Sequence, residues 1–429
     1  MCVIPLQVYS CEKVDWKRLF ILANQGDTFH PIFEDITQLH HGNHTGVKCK
    51  MTGNLFPVAS ADILVVCCSC TSLSGLNMQS KSIRHTALST GKGSSGETFK
   101  GLINLLSVAT YDEVWMENVP EFVKGSFESD SKMIETFDAN GPALKAAFAD
   151  LGFFIGWLRL RPSQLKEAQT RNRVICRALR LAKYADAERR IAHWKEMVSH
   201  IVQGFSAVSA RPLDNYLLNE DDPRVLRARN AQKASPEAPE VTEPQKSLWV
   251  YVHEEFCENN NIDKIKAIRH KGLCGTCPYN HEAESNPWYA GFSDRDKHFL
   301  ACWDTVHPLS AEGDEEPLAL NESLTWASAM QGRIGCITPG GKVWLRRRQR
   351  LLLGTEKLEL QGMPQGTYVV PKGHGDDDAD DDDDHEHKGN EDEGQEDDDE
   401  ADVFDFCFFN HFGCGLHCSL YFGFVAFGI

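Results

Sequence analysis

The sequence predicts an α/β fold built on a mainly parallel sheet. Short apolar runs alternate with amphipathic helical patterns from the start of the chain to about residue 180, which is the order expected when helices connect parallel strands. Several of these runs end in an acid or in a loop of small polar residues. Open α/β sheets bind their ligands at such strand ends, so the same pattern predicts a functional site.

The elements follow in a regular order. The predicted elements are strand 7–10, helix 12–22, strands 31–36 and 63–66, helix 97–108, strand 111–119, helix 142–151, strands 152–160 and 174–179, and helix 181–202. Residues 80–96 have no apolar period and predict a long loop. Residues 211–244 predict a linker, and residues 351–364 predict a short helix.

Residues 62–77 are the most informative stretch. An apolar run from Ile63 to Val66 ends abruptly in small and polar residues, as a buried parallel strand does when it enters a loop. Cys70 lies on that loop, where a thiol can act as a nucleophile if its surroundings activate it. The alternative is a packed cysteine beside Cys67 and Cys68, since cysteine is often simply buried. This stretch alone leaves both interpretations open.

The net charge of −18 is concentrated in one segment. Between Asp376 and Asp402 the chain has 18 Asp and Glu against one Lys, and outside it 43 Lys and Arg face 44 Asp and Glu. The body of the protein is therefore nearly neutral, and its charge does not argue against a nucleic-acid partner. The acidic segment cannot fold alone because like charges repel, and it suits a basic protein partner.

The termini and the cysteine spacing indicate in which cellular compartment the protein is found. The N-terminus lacks the pattern of a signal peptide, and the 15 cysteines lack the spacing of a disulfide framework, so a reducing compartment is expected. The apolar tail 412–429 predicts a buried strand and helix rather than a membrane anchor. Cys274 and Cys277 have the spacing of a zinc knuckle, but no second pair matches them. The basic run 344–350 suits phosphate contacts or a solvated face.

Five short motifs resemble those of the cytosine-5 DNA methyltransferases, in the family's order. They are the loop around Cys70 (69–77), Glu117-Asn118-Val119, Gln169-Thr170-Arg171-Asn172-Arg173, the helix and Leu-Gln-Gly-Met-Pro at 356–364, and Glu12 with Glu34-Asp35-Ile36. The family's closing Gly-Asn pair corresponds to Gly413-Cys414. The resemblance covers residues 7–180 and 330–429 and leaves the middle to a variable target-recognition region.

The resemblance implies a role for each matched residue. Cys70 would attack carbon 6 of a flipped-out cytosine, Glu117 would protonate N3, Arg171 would hold the base carbonyl, and Arg173 would support the acid or the loop. Glu12, Asp35 and Ile36 would bind S-adenosyl-L-methionine in a Rossmann-like sheet. Ser74, Asn118 and Gln169 would contact the substrate. No metal is implied.

The chain also departs from the family pattern. Ser69 and Thr71 stand where the family has Pro and Gln, and the chain begins at the family's second strand, without the first strand and its glycine-rich turn. We expect a DNA (cytosine-5-)-methyltransferase acting on duplex DNA, nuclear in a eukaryote and otherwise cytoplasmic. Two alternatives stay open: a weak or inactive paralogue that binds DNA or a partner, and a tRNA cytosine-5 methyltransferase.

The predicted domains follow from these motifs. Residues 1–180 form the cofactor-binding and catalytic domain, and 181–330 form the target-recognition region. Residues 331–370 return to the catalytic domain, 371–402 form an acidic disordered insert, and 403–429 pack on the catalytic domain. No membrane association is expected.

Overall fold

Residues 7–24, 30–41, 46–74, 83–124, 139–234, 248–260, 262, 286–309, 312–325, 327–335, 337, 341–363 and 367–369 are described by the structure, a computed structural model. They divide into two compact units. The first takes its described residues from Met1–Arg161, Asn172–Gly204 and Gly362–Ile429, and the second from Pro162–Arg171 and Phe205–Gln361.

The first unit contains most of the predicted strands. Its strands are β1 (Ser10–Cys11), β2 (Ile32–Phe33), β3 (Val47–Lys48), β4 (Leu55–Phe56), β5 (Ala61–Cys67), β6 (Tyr111–Asn118), β7 (Phe153–Leu160) and β8 (Arg173–Arg180). Its helices are α1 (Asp15–Asn24), α2 (Ala87–Thr90), α3 (Gly93–Val108), α4 (Asn140–Asp150) and α5 (Ala187–Phe205). The predicted α/β class is confirmed.

The largest sheet is mixed, so the prediction of a mainly parallel sheet was wrong in this respect. The strand order is β5-β6-β8-β7, with β5 and β6 parallel and the other two pairs antiparallel. Only a short 3₁₀ turn, Pro162–Leu165, lies in the connection between β7 and β8. A parallel neighbour requires a longer crossover, usually a helix, so β8 returns antiparallel beside β7.

A second, two-stranded sheet pairs β1 with β2 in parallel. It shares the core of the first unit with the larger sheet, because Phe33 packs in the same cluster as Val114 and Leu102. The hydroxyls of Tyr9, just before β1, and Tyr111, at the start of β6, lie 2.6 Å apart. The predicted strands 7–10 and 31–36 therefore exist, but each is shorter than its apolar run.

Helices cover both faces of the larger sheet. Leu102, Leu105 and other buried residues of α3 pack in the main cluster, as does Phe148 of α4. On the opposite face, Trp194 of α5 stacks edge-on against Trp115 of β6, with ring centroids 5.5 Å apart. Because two faces are covered, β6 is almost entirely buried, and its apolar residues Val114, Trp115 and Met116 lie in the middle of the strand.

The second unit combines helices with a small antiparallel sheet. Its elements are helices α6 (Pro223–Ala234), α7 (Leu248–Asn259), α8 (Pro287–Ala290), α9 (Asp294–Val306) and α10 (Gly354–Leu360) and strands β9 (Pro317–Ala319), β10 (Val343–Leu345) and β11 (Arg350–Leu351). The strand order is β11-β10-β9. The prediction of a linker over residues 211–244 was wrong for residues 223–234, which form helix α6. Asp222 caps it by accepting from the Arg224 N–H at 2.9 Å, and Pro223 suits the first helical position.

The basic run 344–350 is an internal ion-pair network of the second unit. Arg350 is fully buried and binds both carboxylate oxygens of Glu356 at 2.7 and 2.8 Å. Arg346, also buried, contacts Asp304 and Glu316 at 2.6 Å. These guanidinium groups stabilise the fold, so for them the phosphate interpretation was wrong.

Two predicted features have other outcomes. The predicted loop 80–96 contains α2, and α3 begins four residues before the predicted start at Glu97. No helix among the described residues is long and apolar enough to cross a membrane. The tail 412–429 and the acidic segment lie outside the described residues, as do Cys274 and Cys277.

Candidate active site

Two strand ends bring the predicted nucleophile loop and the predicted acid together. In the parallel pair of β5 and β6, Cys67 is in register with Glu117. Cys70 follows three residues later on the loop. Glu117 is 7% exposed, and Cys70 is half-buried against the main core. The side-by-side carboxyl ends of parallel strands form the edge where α/β sheets bind ligands.

Asn118 ties these two strand ends to each other. Its side-chain amide donates to the carbonyl oxygen of Cys68 at 2.8 Å, and its own oxygen accepts from the Val119 N–H at 2.8 Å. Asn118 is 2% exposed, so both bonds are shielded from water. The predicted substrate residue therefore holds the start of the Cys70 loop against β6, a positioning contact that sequence reasoning did not find.

The backbone turns at Cys70 itself. Its carbonyl oxygen accepts from the N–H groups of Leu73 at 2.9 Å and Ser74 at 2.8 Å. Leu73 is fully buried and anchors the turn in the core. Ser74, predicted to contact substrate, is half-buried at the end of this turn, and residues 75–82 lie outside the described part of the chain.

The thiols of Cys68 and Cys70 differ in burial. Cys68 is buried, and loss of solvation raises the pKa of its thiol to about 12. A thiol that stays protonated is a poor nucleophile. Cys70 is the more exposed of the two, and it lies on the loop beyond the strand. The geometry therefore favours Cys70 over Cys68 as the reactive residue.

Arg173 lies beside the acid. Its Nε group forms an ion pair with Glu117, and its Nη1 group donates to the carbonyl of Asn172 at 2.9 Å. Arg173 begins β8, which runs antiparallel to β6 with Glu117 opposite Ile175. The side chains of Glu117 and Arg173 are 9% and 14% exposed, so this charge pair is largely shielded from solvent.

The predicted cofactor residues lie at the ends of β1 and β2. The Glu12 N–H donates to the carbonyl of Phe33 at 2.9 Å, which sets Glu12 beside the residues that follow β2. Burial raises the pKa of the Glu12 carboxyl, although the charge of Lys17 and the Val14 N–H oppose that rise. Asp35 caps a 3₁₀ turn, with Oδ1 accepting from the N–H and hydroxyl of Thr37 at 2.8 Å.

The acids at these strand ends fit the nucleoside part of S-adenosyl-L-methionine. A carboxylate at the end of a parallel strand can accept hydrogen bonds from ribose hydroxyls, and Glu12 has that position. Ile36 is half-buried and packs on the main core. Gly101 of α3 allows close approach here, because an added Cβ would lie 3.1 Å from the Thr37 backbone.

Gln169 and Arg171 belong to the second unit. Both are buried. The Gln169 side-chain amide donates to the carbonyl of Leu360 at 2.5 Å, and its backbone pairs with Ile334. Gln169 thus supports the fold of this unit, and its substrate contact stays a prediction, as does the role of Arg171. In the described part of the chain, no group of three or more His, Cys, Asp or Glu is arranged to hold a metal ion.

Comparison with known proteins gives one curated relative of clear significance. This is the DNA (cytosine-5-)-methyltransferase DMT5 of Cryptococcus neoformans var. grubii, which is 23% identical over 385 residues. The chain is related to the cytosine-5 methyltransferases. The match covers 83% of this chain but only 14% of that much longer relative. No protein-family model matches the chain.

Solved structures of methyltransferases give weak overall superpositions. The crystal structure of the S. pombe Dnmt2 methyltransferase has a TM-score of 0.28 and 11% identity, covering 53% of this chain and 58% of that one. The Entamoeba histolytica methyltransferase EhMeth has a TM-score of 0.22 and 11% identity, covering 41% and 53%.

Proposed function

We propose that this protein transfers a methyl group from S-adenosyl-L-methionine to carbon 5 of cytosine in DNA, through a covalent adduct with Cys70. The observation that carries the proposal is the register of β5 and β6, which pairs Cys67 with Glu117 and brings the Cys70 loop to the acid. The relation to a DNA (cytosine-5-)-methyltransferase supports the choice of reaction.

The thiol is needed because carbon 5 of cytosine is a weak nucleophile. The Cys70 thiolate adds to carbon 6, and Glu117 gives a proton to N3, which turns the ring into an enamine. S-Adenosyl-L-methionine, when bound, supplies the electrophilic methyl group. Once carbon 5 carries the methyl group, a base removes the proton from carbon 5, and the electron pair restores the ring double bond and expels the Cys70 thiolate. N3 returns its proton to Glu117.

Arg173 supports the acid in this scheme. Once Glu117 has given its proton to N3, the guanidinium of Arg173 stabilises the carboxylate that remains. The ion pair is largely buried, so its charges are screened less by solvent than a surface pair. The role assigned to Arg171, holding the base carbonyl, rests on the resemblance alone.

The cofactor is assigned to the ends of β1 and β2. Glu12 is proposed to accept from the ribose hydroxyls and Asp35 from the adenine amine, with Ile36 packing on the ring. Asp35 retains acceptor capacity, since the contacts with Thr37 use Oδ1. The target cytosine must leave the duplex for Cys70 to reach its ring, so base flipping is part of the proposal.

The test is transfer of labelled methyl from S-adenosyl-L-methionine to duplex DNA, with an RNA stem-loop as a parallel substrate. We expect label in cytosine of the DNA and none with Cys70→Ser. Label in the RNA alone would identify an RNA cytosine methyltransferase instead. Cofactor binding by calorimetry is measured beside it, and absence of both binding and transfer contradicts the proposal.

A further inference from the structure

The loop that carries Cys70 is attached to the first turns of α3 by hydroxyl groups. The N–H of Ser69 donates to the Thr98 hydroxyl at 3.2 Å, and the N–H of Ser72 donates to the Ser95 hydroxyl at 3.1 Å. These two N–H groups lie on opposite sides of Cys70 in the chain. We propose that Thr98 and Ser95 are positioning residues, which fix the backbone on each side of Cys70.

The two hydroxyls are oriented to accept. The Thr98 hydroxyl donates back along the helix, 2.9 Å from the Ser94 carbonyl and 3.2 Å from the Ser95 carbonyl. With its hydrogen used in this way, its lone pairs face outward to the Ser69 N–H. Ser95 is fully buried, so water does not compete with its hydroxyl for the Ser72 N–H.

The contact between loop and helix is reciprocal. The Ser95 N–H, one of the unsatisfied donors at the start of α3, points to the Ser72 hydroxyl at 3.4 Å. Ser72 therefore satisfies the helix while the helix satisfies the loop. The outer contact between the hydroxyls of Ser69 and Ser94, at 3.1 Å, is exposed and contributes less because water competes for it.

A serine at position 69 makes this attachment possible. Proline has no backbone N–H and its φ is fixed by its ring, so a prolyl residue here would make no bond to Thr98. Ser69 instead has an N–H that needs an acceptor, and Thr98 supplies it. The Cys70 carbonyl is held on the other side by Leu73 and Ser74. The nucleophile is thus positioned by hydrogen bonds to α3 instead of by a rigid ring.

We expect loss of this attachment to slow the chemical step of methyl transfer more than it weakens DNA binding. The inference that these residues serve catalysis rests on the proposed function, whereas the attachment itself does not. If the attachment aligns the thiol for attack, its loss lowers kcat of methyl transfer and leaves KM for DNA nearly unchanged. Loss of one hydrogen bond of ordinary strength corresponds to about fivefold.

The experiment compares Thr98→Val, Ser95→Ala and Thr98→Ser in the full chain. Ser107→Ala is the matched control, because Ser107 lies at the far end of α3 with an exposed hydroxyl 2.7 Å from the Asn104 carbonyl. Two quantities are measured for each variant: the kinetic constants of methyl transfer, and amide hydrogen exchange of peptides that span residues 68–74.

We expect Thr98→Val and Ser95→Ala to lower kcat about fivefold and to speed exchange in 68–74. Thr98→Ser, which keeps the hydroxyl, restores both, and Ser107→Ala changes neither. Unchanged exchange in 68–74 for both hydroxyl deletions overturns the inference, as does a fall in kcat that Thr98→Ser does not rescue. If even the unmodified protein transfers no methyl group, the proposed function fails, while faster exchange specific to Thr98→Val and Ser95→Ala still supports the attachment.

Discussion

The carboxylate of Glu117 and the guanidinium of Arg173 form an ion pair where β6 and β8 lie side by side. A second ion pair, Glu113 with Arg177 at 2.9 Å, joins the same two strands four residues further from the site along each strand. The two pairs have similar burial, so the strands offer a site pair and a matched control pair.

We expect Glu117→Gln to lower kcat of methyl transfer about a hundredfold or more, because it removes the proton donor to N3. Glu113→Gln breaks the control pair and leaves kcat within about threefold, because Glu113 lies near the opposite end of β6 from Glu117. Labelled methyl transfer and circular dichroism are measured for both. Equal loss of activity in the two variants would show that Glu117 acts only through the fold.

Gly93, the first residue of α3, tests how closely loop and helix approach. Its φ is +70°, and an added Cβ would lie 2.4 Å from the Ser72 hydroxyl oxygen. We expect Gly93→Ala to lower the free energy of unfolding by about 2 kcal/mol or more, from left-handed strain and the clash together. Urea unfolding measures this change.

Gly152→Ala is the control for that substitution. Gly152 has a φ of +76°, and an added Cβ would meet nothing within 4 Å, so only the left-handed strain of about 1–2 kcal/mol applies. An equal loss of stability in the two variants would contradict the close approach of Ser72 to Gly93.

The buried pair of Arg350 and Glu356 is expected to hold the second unit together. The Glu356 carboxylate also accepts from the N–H groups of Leu218 at 2.7 Å and Leu353 at 2.8 Å. Glu356→Ala should cost about 3–5 kcal/mol, because it leaves a buried guanidinium short of a partner. Asp186→Asn breaks two solvent-exposed ion pairs, with Arg189 and Arg190, and should cost much less stability because water screens exposed charges. Calorimetric unfolding that shows similar losses would rule out this assignment.

The histidines between α7 and α9 predict a dependence of stability on pH. His253 and His298 are stacked with Nδ1 atoms 2.8 Å apart. Burial first, then the charges of His298 and Arg295, lowers the pKa of His253 to about 3, and burial lowers the pKa of His298 to about 4. The nearby Glu254 opposes the second shift.

The direction in which stability changes with pH follows from where the two histidines bind protons. Below about pH 6.5, the ordinary pKa of histidine, the rings of both histidines become protonated in the unfolded chain but not in the folded chain. Stability is therefore fully present above about pH 6.5 and falls as the pH drops toward 4. Urea midpoints between pH 7.5 and 5 measure this, with His253→Gln and His298→Gln combined as the comparison. A slope that the double substitution leaves unchanged would refute the assignment.

Local sequence predicted the strands and the position of Cys70 on a loop, whereas its role as nucleophile stays a prediction. The runs that end at Cys67 and Asn118 are strands, and such runs are visible without any partner. The burial predicted for residues 63–66 was only partly right, because β6 is largely buried whereas Ile63 of β5 is 49% exposed. The loop position of Cys70 follows directly from the end of β5. The strand order does not, since it depends on how β7 and β8 pair, and no local pattern records that choice.

Polar contacts between distant parts of the chain could not be predicted from the sequence, for a physical reason. An arginine in a basic run has the same local pattern whether it faces water, a phosphate or a buried acid. Arg350 meets Glu220 at 2.7 Å across 130 positions of the chain, and the Ser69 N–H meets Thr98 across 29. The hydroxyl-rich residues 94–98 were the one available signal for the second contact.

The central claim is that Cys70 forms a covalent bond to the target base, and trapping that bond tests it most directly. A duplex with 5-fluorocytosine at the target position blocks the last step, because fluorine cannot leave as a proton does. With S-adenosyl-L-methionine present, we predict a complex that survives denaturation and a digest in which Cys70 carries the modified base. The same complex from Cys70→Ser, or a base attached to another residue, would contradict the claim.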